Sequence, residues 1–144
     1  MVTHPLVGSW QLVSLFIESA AGTVKYVYGE DPVGMLMYSG NGTMSVVLMR
    51  QGRRKFADGD LFGGTATELK EAFEGLEAYC GTYTIDEQAE CVTHHVEASR
   101  FPNWEGSDLK RYYQLVDDRL TLTTEPTRTM GQDWVIHVVW RRRA

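Results

Sequence analysis

Along most of this chain apolar and polar residues alternate with a period of two, in short runs broken by clusters of Gly, Asn, Asp and Pro. The runs cover residues 8–18, 23–28, 33–38, 43–49, 80–86, 91–99, 109–116, 119–124 and 134–141. Between them stand stretches with turn chemistry: "AAG", "GEDPVG", "SGNG", "IDEQAE" and "VDDR". Short strands at near-regular spacing predict an antiparallel meander. A meander of this length protects its edges most simply by closing on itself, so the expected fold is all-β: an up-and-down barrel of about eight to ten strands.

One segment departs from that period. In "TATELKEAFEGLEAY" the residues Ala66, Leu69, Ala72, Phe73, Leu76 and Tyr79 recur at helical spacing, and Thr65 with Glu68 forms a capping box. The pattern predicts one amphipathic helix over about residues 66–78, inserted between the fourth and fifth strands. It follows a charged, Gly-rich linker, "RRKFADGDLFGG", that holds Phe56 and Phe62. The helix has two places to pack, the outer wall of the barrel or its open end. No repeat or low-complexity tract marks a second unit, and residues 1–144 read as a single domain.

In a small barrel one phase of each strand faces the interior. "THHVEASRFPNWEG" therefore sends its adjacent histidines to opposite faces. Val92, His94, Val96 and Ala98 form the apolar phase, which turns His94 inward and leaves His95 to solvent beside Glu97. On the run that follows, Arg111 and Tyr113 share a phase with Leu109 and Leu115 and are expected inside. Antiparallel pairing across "RFPNWEGSD" then sets His94 opposite Arg111 or Tyr113. An inward His, Arg and Tyr would form one polar patch on an apolar wall, suited to orienting a small amphipathic molecule. These three are the candidate catalytic residues. A buried guanidinium needs either a carboxylate, with Glu97, Glu105 or Asp108 nearest in sequence, or an anionic ligand.

Trp104, Phe62 and Phe73 are placed at the open rim as ligand contacts. Met44, one of several methionines at strand spacing, reads as core filler or as part of an adaptable pocket. His137 lies in "WVIHVVW", where both phases are apolar, so its direction stays open. The second apolar phase of that strand marks a face suited to a homodimer or to a seat for the helix.

Composition narrows the function. With 14 Lys and Arg against 19 Asp and Glu the net charge is -5, and the basic runs are confined to residues 50–55 and 141–143. Nucleic acid is not an expected partner. No stretch nears the roughly 18 consecutive apolar residues of a membrane span, and the N-terminus lacks a signal-peptide pattern. A cytoplasmic protein is expected. Cys80 and Cys91 fall opposite about Val96 and Ile85 in the implied hairpin, not opposite each other, and read as free thiols. Two histidines on opposite faces cannot chelate one ion, and no Cys-x-x-Cys or phosphate loop occurs. Neither a metal nor a cofactor is expected.

"LVGSWQLVS", with Gly8-x-Trp10 on the first strand, is followed in order by "DPVGMLMYSGNGTMSVVLMR", "AYCGTY", "THHVEASRFPNWEG" and "RYYQLVDDRLTL". Together these segments resemble the small bacterial lipocalin-like domain family of the calycin superfamily, from about Leu6 to Trp140. The resemblance implies a barrel with a cup-shaped cavity. Trp10 would plug its closed end beneath Arg141 or Arg142. Some members of the family look like companions of natural-product biosynthesis. The expected function is binding of a small hydrophobic or amphipathic molecule in the cup. Two alternatives use the same cup: a cofactor-free isomerase, cyclase or dehydratase acting on a polyketide-like intermediate, with His94 moving the proton, or a haem-binding barrel with His94 or His137 as axial ligand.

Overall fold

The structure is a computed structural model that describes residues 3–144. Its strands are β1 (Gly8–Ser19), β2 (Val24–Lys25), β3 (Val33–Tyr38), β4 (Thr43–Met49), β5 (Leu76–Asp86), β6 (Cys91–Ser99), β7 (Asp108–Val116), β8 (Arg119–Thr124), β9 (Thr127–Thr129) and β10 (Gln132–Arg142). They form one antiparallel sheet in the order β2-β1-β3-β4-β5-β6-β7-β8-β10-β9, and β1 pairs with β10 to close it. β3 and β2 share one flank of β1, and β8 and β9 share one flank of β10. The ten strands therefore make a closed barrel of eight staves.

Trp10 and Trp140 are fully buried near one end with Leu6, Leu36 and Leu120. Trp10 donates its indole N–H to the Leu6 carbonyl at 3.0 Å, and the Arg142 guanidinium carbon lies 4.2 Å above the centre of its ring. Arg142 also donates to the carbonyls of Val7 and Pro5. Of the two arginines the sequence offered, Arg142 is the plug's partner. Gly8 makes room for it: a Cβ there would stand 2.9 Å from the guanidinium, on a backbone with φ of +139°.

Two bulges change the register that strict alternation predicts. One, between Leu12 and Ser14, shifts the inward phase of β1 from Trp10 and Leu12 to Leu15 and Ile17. The other, between Cys80 and Gly81, sets Cys80 opposite Ala98 where Val96 is expected, while the hairpin turn itself puts Cys91 opposite Asp86 and not Ile85. Both thiols are free.

The helix, α1 (Ala66–Glu74), starts where expected. The Glu68 amide donates to Thr65 Oγ1 at 3.1 Å, and the Thr65 amide donates to Glu68 Oε1 at 2.9 Å. It stops earlier than its periodicity predicts. Gly75 caps it, and Leu76, Glu77 and Ala78 pair with Met49, Leu48 and Val47 as the first residues of β5. Ladder hydrogen bonds to β4 outweigh helical propensity there. The helix packs against β5, and its Phe73 and Glu74 stand at the barrel's open end. No helix among the described residues is long and apolar enough to cross a membrane.

Candidate functional site

The inward phases of the staves enclose a cavity of about 820 Å³ that runs from Leu36 and Trp140 at the plugged end to Phe73, Arg100 and Met130 at the mouth. That volume suits one small organic molecule. Most of the wall is aliphatic or aromatic, as the alternating pattern requires.

The polar patch lies in the depth of the cavity. His94, on β6, is 1% exposed, and both of its ring nitrogens are engaged. Nε2 meets the Tyr38 hydroxyl at 2.6 Å and Nδ1 meets the Tyr79 hydroxyl at 2.7 Å. A neutral imidazole donates through one nitrogen and accepts through the other. One tyrosine therefore gives its proton to the ring, while the other accepts the ring N–H and keeps its own O–H free to donate. Burial, then the charge of Arg111, then that of His95 push the His94 pKa well below its usual value, so the ring is neutral at physiological pH. Burial likewise raises the hydroxyls of Tyr38 and Tyr79.

Tyr79 lines the cavity and Tyr38 lies behind, 1% exposed. The sequence reading missed both tyrosines. Tyr38 ends its run on the inward phase of Leu36, a signal that was available. Tyr79 is hidden by the helical periodicity that runs on past Gly75 into β5.

Arg111, on β7, lines the same cavity. It sits opposite Val92, while His94 sits opposite Leu109, so His94 and Arg111 are diagonal neighbours and not the direct pair expected. Its guanidinium donates to the Lys110 carbonyl at 3.2 Å and reaches toward the Tyr79 hydroxyl, opposing the rise that burial gives that group, and among the described residues no carboxylate lies within ion-pair distance. Asp108, one of the expected partners, is held by His95 at 2.7 Å on the outer face. His95 contacts Thr84 there as well. The guanidinium carbon of Arg111 lies 6.0 Å from the centre of the Trp104 ring, and Trp104 stands edge-on to Tyr79 at 5.8 Å. Trp104 comes from a 3₁₀ turn, Pro102–Trp104, that places it over the polar patch.

At the mouth, Phe73 carries the Arg100 guanidinium 3.9 Å from its ring centre, and Arg100 is bonded to Glu77 at 2.8 Å. Tyr28 lines the wall nearby, its hydroxyl pushed up to about 12 by burial and by Glu77.

Four of the candidate residues lie outside the cavity. Tyr113 has the inward phase but falls below the cavity, edge-on to His4 at 6.3 Å. Met44 is 4% exposed and paired with Gly81, toward the plugged end, as core filler. His137 faces outward, stacked on Phe16 and bonded to Glu18 at 3.2 Å, because Trp134, Ile136, Val138 and Trp140 take the inward phase of β10. Phe62 is 95% exposed on its linker, which never folds back over the opening. This geometry gives haem no free axial nitrogen on His94 and none inside the barrel from His137. Proton transfer between His94 and a cavity ligand has to pass through the Tyr79 hydroxyl.

The model of the Lipocalin-like domain family matches residues 7–143. The 4'-hydroxy-3'-methoxypropiophenone carrier protein ppsC of Aspergillus oryzae is 31% identical over 106 residues, covering 69% of this chain and 96% of that protein. A solved lipocalin-like protein from Bacteroides uniformis is 15% identical, with a TM-score of 0.49 over 96% of this chain and 98% of its own. With the family pattern spanning nearly every stave of a closed, tryptophan-plugged barrel, this chain belongs to the lipocalin-like domain family.

Proposed function

We propose that the protein is a binding and carrier protein for a small, largely apolar molecule that bears a phenolic, acidic or carbonyl oxygen. The observation that carries this reading is the pairing of an apolar cup with one deep polar patch, in which Arg111 has no carboxylate partner and Tyr79 presents its hydroxyl. The apolar wall supplies affinity for the body of the ligand, and the patch fixes its orientation. The relative's own cargo, a hydroxyaryl ketone, has this chemistry: a flat apolar ring with a hydroxyl at one end and a carbonyl at the other. Free thiols at Cys80 and Cys91 support a reducing, cytoplasmic setting.

Titration calorimetry with 4'-hydroxy-3'-methoxypropiophenone tests the reading. Saturable one-to-one binding is expected, weakened about tenfold or more in Arg111→Met, since a hydrogen bond to a charged group contributes about 1.5–3 kcal/mol. Tyr79→Phe should weaken it less. Absence of saturable binding, or equal affinity in both variants, contradicts the proposal.

A further inference from the structure

Four arginines line the cavity, namely Arg50, Arg100, Arg111 and Arg128, against two glutamates, Glu74 and Glu77. Both glutamates are already paired, Glu77 with Arg100 at 2.8 Å and Glu74 with Lys70 at 3.0 Å. Arg50 and Arg128 are exposed and Arg100 is neutralised at the mouth, so Arg111 is the lining guanidinium that stands inside without a carboxylate, in a chain of net charge -5. The groups around Arg111 are uncharged. Tyr79 from β5, His94 from β6, Trp104 from the 3₁₀ turn and Thr124, its partner on β8, offer it no anion. Thr124 is itself occupied, accepting the Ile136 amide at 3.0 Å. A guanidinium half out of water among such neighbours strongly favours any negative charge placed beside it.

We infer that the cup selects the ionised form of an acidic ligand: a phenol is held as its oxyanion against Arg111, with the Tyr79 hydroxyl as a neutral second donor. This rests on the carrier reading and adds the charge state of the cargo. The His94 relay serves the same end. When the ring N–H is donated to Tyr79, that tyrosine's own proton is free to bond the oxyanion, and the neutral imidazole adds no competing charge. Ionisation moves a proton from the ligand's hydroxyl to water, and the protein changes no covalent bond.

The probe is 4-hydroxyacetophenone, whose phenol and phenolate forms absorb at different wavelengths, with the non-ionisable 4-methoxyacetophenone as comparator. Tryptophan fluorescence reports occupancy, and absorbance reports ionisation of the bound fraction across pH. In the wild-type protein the bound phenol should ionise at a pH at least one unit lower than in buffer. The hydroxy probe should also bind at least tenfold more tightly than its methyl ether at the pH where the free phenol is half ionised. In Arg111→Met, studied at concentrations that restore occupancy, the ionisation shift should vanish; in Arg111→Lys part of it should remain. A bound probe that ionises at or above its pH in buffer overturns the inference and leaves the carrier reading standing. Failure of both probes to bind overturns the carrier reading, and the inference with it.

Discussion

At the scale of single residues, one histidine held neutral organises the polar patch. His94 is buried with both nitrogens committed to tyrosines, and its folded-state pKa lies well below the 6.5 of an unperturbed imidazole. The unfolded chain therefore binds a proton at this residue that the folded chain refuses. Stability should be unaffected by His94 above about pH 7 and fall as the pH drops through 6.5, the slope approaching about 1.4 kcal/mol per pH unit. Urea denaturation between pH 7.5 and 5 is expected to show that decline, and His94→Gln to remove this share of it. An identical slope in both proteins would mean that His94 accepts its proton while folded. The inward turn of His94 and Arg111 was legible because alternation assigns faces without knowing register. Their pairing was not: Tyr38 shows its inward phase but not its register to β6, and Tyr79 is masked by a false helical phase, so the relay appears only when three staves come together.

At the scale of elements, what was legible is what is local. The capping box of Thr65 and Glu68 announces the start of α1, and turn residues announce the hairpins. Register is not local, and the bulge at Cys80 and Gly81 shows why. A Cβ on Gly81 would lie 1.9 Å from the carbonyl oxygen of His95, so the two backbones approach as only glycine permits. Gly81→Ala should cost at least the ~1–3 kcal/mol typical of overpacking and disturb the strand that carries Tyr79. Gly59→Ala, where nothing lies within 4 Å, should be close to neutral in the same denaturation experiment. Equal stability of the two variants would remove Gly81 as the determinant of this register.

At the scale of the whole molecule, closure of the barrel divides the surface into an inside and an outside, and ligand chemistry is possible on either. Closure was legible from the period-two pattern, because strands without a protected edge must find one. The rim was not, since loop conformation decides that Trp104 enters the cavity while Phe62 stays in solvent. Outside, a shallower groove over β3 and β4 is lined by Val33, Met35 and Val47 and offers an apolar competitor to the cup. Isotope-filtered NOE spectroscopy of the labelled protein with an unlabelled hydroxyaryl ketone discriminates the two sites directly. Intermolecular NOEs are expected from the aromatic protons of the probe to the methyl groups of Leu36, Val46, Leu122 and Val138, which line the interior. NOEs to the methyls of Val33, Met35 and Val47, with none to the interior set, would contradict binding in the cup.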